Sequence, residues 1–323
     1  MELGESSISC EASNVKGKQS PNPSFLTRLG INEIYTLEMW RAAVTELVAT
    51  GTFLFTLSTT IIACLESHES DPKLLIPIAV FFIAFLWLMV TVPLSGGLFS
   101  PAFSFIAALR GVITFVRALF YSLGQLLGAL IAYLILKGVM DPNMAHKYAL
   151  AGCMVNGNGA GVSVGTALII EILCTFMVLY VAMTIILDKQ KCMDLGLTTV
   201  CVIISGIYAA SVFVSITVTG RPGYGGVGLN PARCLGPVLL MGGALWEGHW
   251  VFWVGPFCAC MIYYAYSLML PKRGFVRADI EEDIIKLVRA SCSGSDCPSC
   301  VEKKVTSLYE KILYKLSFGF ICD

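Results

Sequence analysis

Long apolar runs separated by short polar connections dominate the chain. Six runs are long enough to cross about 30 Å of hydrocarbon as helices, and they cover residues 40–65, 74–94, 112–136, 165–187, 195–218 and 249–270. Two shorter runs, Pro101 to Arg110 and Pro231 to Met241, lie between them. At about 1.5 Å per residue each crosses only half of the bilayer, which is tolerated where the segment is buried in protein or lines a wet cavity. The pattern predicts an all-α membrane protein with six transmembrane helices and two re-entrant half-helices.

The second half of this pattern repeats the first. Glu46 lies in the first span and Glu171 lies 125 residues later in the fourth, while Ser100 precedes Asn230 by 130 residues. Each repeat contains three spans, an odd number, so the chain enters the second repeat from the opposite side of the membrane. The second copy is therefore inverted relative to the first. We therefore expect an inverted repeat whose two half-helices meet at the membrane midplane with their positive N-terminal ends facing each other.

Composition and charge agree with a membrane protein. Of 323 residues, 56% are hydrophobic and 14% are charged, where soluble domains carry roughly 25%. The net charge is zero, which gives no reason to expect a nucleic-acid partner. Eleven basic residues flank one set of span ends and four flank the other, which predicts that both termini are cytosolic. The expected organisation is a tail at 1–39, a channel domain at 40–270 with repeats at 40–136 and 165–270, and a cytosolic tail at 271–323.

The stretch from Asn230 to Arg233 carries the most telling chemistry. Asn230 has the features of a helix N-cap and Pro231 those of the first helical residue, and we expect Ser100 to cap the other half-helix equally well. Arg233 puts a charge at membrane depth, which is expensive and therefore functional by default. Glu46 and Glu171 place two carboxylates inside apolar spans, where a proton-relay role and a structural role are both open.

These residues together resemble the aquaporin, or major intrinsic protein, family over residues 40–270. The resemblance assigns the half-helix motifs to Ser100, Pro101, Ala102, Asn230, Pro231 and Ala232. Serine in the first motif, Cys234 after Arg233 and a glycine-rich loop at 220–228 make the chain similar to the plant X intrinsic proteins, which are associated with small uncharged solutes more than with water. The resemblance implies an aquaporin-like right-handed bundle, a homotetramer and a plasma-membrane location. It also implies that Glu46 and Glu171 brace the re-entrant backbone by accepting its N–H groups, a role that the need to satisfy backbone at membrane depth favours over a proton relay.

The resemblance also implies a selectivity filter around Arg233. Spacing from the two motifs places its other members at Val80, Val212 and Val227, although Val80 and Val212 are ordinary packing residues if the register slips by one. Three aliphatic side chains offer few hydrogen-bonding groups and an apolar surface. Such a filter favours glycerol, urea, boric acid and hydrogen peroxide over water.

The sequence thus predicts a passive channel for small uncharged solutes with low to moderate water permeability, which excludes protons and ions, lies in the lipid bilayer and needs no cofactor or metal. The alternatives are a water-selective aquaporin and, further off, a secondary transporter, which needs a coupling-ion site that spans nearly free of acids do not offer. A cation channel is disfavoured because the sequence shows no ring of acidic residues of the kind that attracts cations into a pore. An enzyme lacks a base beside Ser100, because the three histidines lie outside or at the edges of the spans.

Three features lie outside the repeats or beside the filter. Gly138 to Gly165 is expected to form a long, flexible external loop, and Cys234 is a possible site for thiol reagents. In the C-terminal tail, a helical spacing of apolar residues from Val301 to Leu316 predicts a surface or partner-binding helix, with a solvated helix as the alternative. Three cysteines there offer only three ligands and no nearby histidine, which argues against a structural zinc: Cys292, Cys297 and Cys300.

Overall fold

The computed structural model describes residues 29–67 and 74–269. Most of the predicted N-terminal tail lies outside the described residues. So do the predicted C-terminal helix and the cluster of Cys292, Cys297 and Cys300.

Within the described ranges the chain forms nine α-helices: α1 Leu37–Glu66, α2 Leu75–Ser95, α3 Pro101–Leu109, α4 Phe115–Val139, α5 Pro142–Tyr148, α6 Val164–Ile186, α7 Lys189–Thr219, α8 Pro231–Met241 and α9 Val251–Met269. Helices α1, α2, α4, α6, α7 and α9 are long and apolar enough to cross a membrane. Helices α3 and α8 are the two half-helices. The predicted order of spans and half-helices is confirmed.

The largest difference in helix bounds is at the start of α7. The apolar run predicts a start at residue 195, but the helix begins at Lys189 because Asp188 caps it, accepting a hydrogen bond from the Lys191 N–H at 3.1 Å. The extra turn meets the apolar part at Gly196, whose φ of 73° and ψ of 160° are not helical. Glycine adopts this conformation without steric cost, so the polar turn and the span are joined at an angle.

Close glycine contacts hold each half together at equivalent places. In the first half α1 packs on α4, where a Cβ on Gly128 would stand 2.2 Å from the Leu47 carbonyl oxygen. In the second half α6 packs on α9, where a Cβ on Gly255 would stand 2.6 Å from Cγ of Glu171. Small residues at these positions allow the helix backbones to approach closely. The two halves are joined chiefly by α2 packing on α7.

The connection from 140 to 163 is folded, so the expectation of a flexible loop was wrong. Helix α5 is capped by Asp141, which accepts the N–H groups of Asn143 and Met144. The next three residues, 149–151, have positive φ, and the chain then buries Ala151 and Cys153 against the bundle. We call this end of the bundle the loop end, and the opposite end, where α1 begins and α9 finishes, the tail end.

Candidate functional site

One cavity of about 500 Å³ runs through the bundle. Its wall extends from Leu65, His146 and Pro222 at the loop end to Ile186 and Cys192 at the tail end. Its described lining residues include no aspartate or glutamate. A passage of this composition has no acidic ring to attract cations.

The two half-helices begin beside each other near the middle of this cavity. Asn230 caps α8, because its Oδ1 accepts the Ala232 N–H at 2.9 Å. Its Nδ2 donates to the Phe99 carbonyl oxygen at 2.7 Å, which ties the second half-helix to the loop before the first. An amide nitrogen carries two hydrogens, so one donor of Asn230 remains beyond this bond. Pro101 and Pro231 each occupy the first helical turn.

Ser100 does not cap α3, and the expectation that it caps as well as Asn230 was wrong. Its hydroxyl is buried and has no hydrogen-bond partner among the described residues. The cause is the side-chain conformation and not the residue type, because serine caps helices as well as asparagine does and Ser163 caps α6 by accepting the Thr166 N–H at 3.1 Å. The Ser100 hydroxyl also leaves the Leu229 carbonyl without the counterpart of the bond from Asn230 to Phe99. The cross-link between the halves is therefore one-sided.

The two buried glutamates hold the re-entrant backbone before each half-helix. Glu46 accepts the N–H groups of Leu98 and Phe99 at 3.2 and 3.0 Å. Glu171 accepts those of Gly228 and Leu229 at 2.8 and 2.6 Å. Phe99 and Leu229 have φ of 54° and 57°, a left-handed conformation that costs a residue with a side chain about 1–2 kcal/mol. Hydrogen bonds to a carboxylate offset that cost.

Around Glu46 the sequence reasoning missed a buried polar network. Gln125 donates to the second carboxylate oxygen of Glu46 at 2.8 Å and to the Ser104 hydroxyl at 3.0 Å. The Ser95 hydroxyl donates to Glu46 as well. A glutamine inside the apolar run of α4 was the signal that could have found it, because a buried amide needs partners.

Arg233 is 8% exposed, and among the described residues its guanidinium is in hydrogen-bonding contact with neutral groups only. Its guanidinium donates to the carbonyl oxygens of Val227 and Ala151, both at 3.4 Å, and lies 3.2 Å from Cys153 Sγ. No carboxylate forms an ion pair with it in the part of the chain that the structure describes. Two of these three contacts come from the folded loop between α5 and α6.

The structure brings the four residues of the predicted filter to one cavity wall: Val80, Val212, Val227 and Arg233 all line it. Ser215, which sequence reasoning missed, links two of the valines. Its hydroxyl donates to the Val212 carbonyl at 2.8 Å and accepts the Val227 N–H at 3.2 Å. A serine in an apolar span, three residues after Val212, was the available signal.

Cys234 has no free thiol, so its prediction as a site for thiol reagents was wrong. It forms a disulfide with Cys153, with the two Cα atoms 5.1 Å apart and 81 residues between them in sequence. The bond exists because the loop after α5 folds down and places Cys153 beside the first turn of α8. It fixes this loop beside Arg233.

Lys147 adds a second cation at the loop-end mouth, but this one is paired. Its Nζ lies 2.7 Å from Glu66, which also accepts the Tyr148 hydroxyl. The hydrogen bond to Glu66 raises the pKa of Lys147 above its usual value. Because the two side chains of the pair are 57% and 43% exposed, it contributes little to stability.

A family model described as "Major intrinsic protein" matches residues 33–265. The chain belongs to the major intrinsic protein family. Among curated relatives, Aquaporin PIP2-7 of Musa acuminata is 31% identical over 281 residues, covering 85% of this chain and 95% of the relative. Probable aquaporin PIP2-8 of Oryza sativa subsp. japonica is also 31% identical, covering 79% and 91%.

Among solved structures, the aquaglyceroporin from Plasmodium falciparum is similar with a TM-score of 0.59 and 18% identity, covering 72% of this chain and 96% of that one. This likeness bears on the fold and supports an aquaporin-like bundle. The protein is thus an integral membrane channel of the major intrinsic protein family, and the cavity through its bundle is the candidate pore.

Proposed function

We propose that this member of the major intrinsic protein family is a passive channel for small uncharged solutes such as glycerol, urea, boric acid and hydrogen peroxide. Water passes at a low to moderate rate, and protons and ions are excluded. The observation that carries the proposal is the shared position of Val80, Val212, Val227 and Arg233 on the wall of one cavity.

Selectivity follows from the chemistry of these four side chains. A solute entering the filter loses water, and three valines return no hydrogen bonds for those lost. Arg233 replaces some of the solute's lost hydrogen bonds, because its guanidinium has five donors and its contacts to carbonyl oxygens are long. A solute with both carbon atoms and an oxygen makes apolar contacts with the valines and accepts a hydrogen bond from Arg233. Water makes favourable contacts with Arg233 only.

Exclusion of cations follows from the fields at the midplane. A helix N-terminus carries about half a positive charge, and the bond from Asn230 to the Phe99 carbonyl shows that α8 starts next to the loop that leads into α3. Arg233 adds a full charge one turn away. A cation in the pore would therefore meet three positive centres and no acidic side chain among the described lining residues.

We further propose that the loop end faces outside, with both termini in the cytosol, in the plasma membrane. The bias of basic residues towards the tail end supports this orientation. The disulfide between Cys153 and Cys234 supports it independently, since disulfides persist in oxidising compartments. A homotetramer is proposed from the family resemblance, and its test is the mass of the detergent-purified particle.

A water-selective aquaporin is the second candidate, and the aquaporin names of the curated relatives favour it. The valine-lined filter argues against it. A secondary transporter is less favoured, because Glu46 and Glu171 are engaged by re-entrant backbone N–H groups.

The proposal is tested by one panel of flux assays on a single purified preparation in proteoliposomes. We expect glycerol, urea, boric acid and hydrogen peroxide to enter faster than into a matched Val212→Trp preparation, whose added side chain fills the filter. Flux should rise linearly with solute concentration, and a pH-sensitive dye should report no proton entry. Fast water flow with no solute entry would support the water-selective candidate, and saturable, gradient-coupled uptake would support a transporter.

A further inference from the structure

Four aromatic side chains line the pore on the tail side of the filter. We call them the aromatic collar, and they are Phe53, Phe99, Phe103 and Tyr208. They come from α1, from the loop before α3, from α3 itself and from α7. Tyr208 precedes the filter residue Val212 by four positions, so it lies one helical turn further along the same face of α7.

Ring contacts link the collar in two pairs. The rings of Phe103 and Tyr208 lie 5.8 Å apart with an interplanar angle of 30°, and those of Phe53 and Phe99 lie 5.0 Å apart. Helix α3 packs chiefly on α4 and α9, whereas α7 packs chiefly on α2 and α6. The contact between Phe103 and Tyr208 therefore joins two elements with different packing neighbours, and both rings reach the pore wall.

The place of the Tyr208 hydroxyl on the pore wall sets it apart from the other tyrosine hydroxyls that lack a partner. The buried hydroxyls of Tyr224 and Tyr263 also have no hydrogen-bond partner among the described residues, but Tyr263 does not line the pore and Tyr224 lines it at the loop end. The Tyr208 hydroxyl bonds to no other described residue. On the tail side of Asn230, Tyr208 carries the only side-chain oxygen among the described lining residues.

We propose that Tyr208 is a second specificity-determining residue of this pore, acting after the valine filter. Its ring limits the girth of a solute at the collar, and its hydroxyl takes up a hydrogen bond from the solute as the solute leaves the Asn230 amide. This inference rests on the proposed solute-channel function and assigns its size limit to a position outside the filter of Val80, Val212, Val227 and Arg233.

The test uses the full-length chain in proteoliposomes with two variants, Tyr208→Val and Tyr208→Phe. Tyr180→Val is the matched control, because Tyr180 is 45% exposed on α6 and does not line the pore. Each preparation is assayed for water, glycerol, urea and the longer polyols erythritol and xylitol. Equal protein incorporation is established by quantitative immunoblot.

We expect Tyr208→Val to admit erythritol and xylitol that the parent excludes, since it removes the ring. Tyr208→Phe should keep that size limit but lower glycerol and urea flux by about fivefold, the equivalent of one neutral hydrogen bond. Tyr180→Val should match the parent. An unchanged size limit in Tyr208→Val, or unchanged glycerol and urea flux in Tyr208→Phe, would overturn the inference while leaving the channel function intact. A parent that conducts none of the solutes would instead refute the proposed function itself.

Discussion

Arg233, the cation of the proposed filter, is hydrogen-bonded to backbone dipoles and forms no ion pair with any described residue. Arg233 donates to two backbone carbonyl oxygens at 3.4 Å, and bonds of that length are weak. A carboxylate partner would have occupied the guanidinium and neutralised its charge. With two carbonyl oxygens and the Cys153 sulfur as its partners, the arginine keeps both its charge and its capacity to donate to a solute.

The valines opposite this arginine give a direct prediction for water. Val80→Phe combined with Val212→His should raise water permeability and lower glycerol permeability, because the imidazole returns a hydrogen bond and the phenyl ring narrows the filter. One restored hydrogen bond corresponds to about fivefold in rate. Stopped-flow swelling measures both solutes. The assignment of Val80 and Val212 to the filter is wrong if the correctly inserted double variant swells no faster than the parent.

The uncapped start of α3 gives a prediction for stability. Ser100→Asn should supply the cap that Ser100 lacks and a donor for the Leu229 carbonyl, raising the free energy of unfolding by about 1 kcal/mol. Thermal unfolding in detergent measures the change. Asn230→Ser is the reciprocal variant and should lower stability by a similar amount, because it removes both bonds of Asn230. Equal melting temperatures for Ser100→Asn and the parent would contradict the account of the unsatisfied hydroxyl.

Among the elements, the loop from 140 to 163 does more than connect two spans. Its three residues of positive φ turn the chain so that the Ala151 carbonyl reaches Arg233, and such backbone strain persists where the surroundings over-determine it. The disulfide from Cys153 to Cys234 fixes the end of this turn to α8. The loop thus positions Arg233, the arginine of the proposed filter, from the loop end.

This arrangement predicts which variant responds to thiol reagents. Cys153→Ser should leave Cys234 as a thiol beside Arg233, so that a membrane-impermeant methanethiosulfonate added from the loop end removes most of the solute flux. The parent should resist the reagent at this position, since its two sulfurs are bonded to each other.

The double variant Cys153→Ser/Cys234→Ser is the control for that experiment. It reports any reaction at the two cysteines that line the tail half of the pore, Cys192 and Cys201. Inhibition of the parent to the same extent as Cys153→Ser would show that Cys234 is already a thiol, against the disulfide described above.

At the scale of the whole molecule, periodicity and repetition were enough to predict the architecture. Six runs of membrane-crossing length and two short ones became helices within a few residues of their expected bounds, apart from the capped start of α7. The disulfide escaped prediction, because a separation of 81 residues carries no information on pairing. The missing cap at Ser100 was not predicted either, since the rotamer of its hydroxyl depends on neighbouring residues and not on the residue type. Tyr208 was missed for a third reason: a tyrosine in an apolar run has no signature that separates a pore wall from a packed core.

The orientation of the bundle gives the last prediction. The chain has no usable Asn-x-Ser/Thr acceptor, since its one such triplet, at Asn22, contains proline. Ala160→Thr creates an acceptor at position 158 in the loop, and Ala160 is exposed. Lys16→Thr creates the matched acceptor at position 14 in the N-terminal tail. Expressed in a eukaryotic cell, the first variant should gain an endoglycosidase-sensitive mass shift and the second should not, because in the proposed orientation only the loop end faces the lumen during synthesis. A mass shift in the tail variant alone would show that the bundle has the opposite orientation. The eleven flanking basic residues would then lie outside and the disulfide in the reducing cytosol.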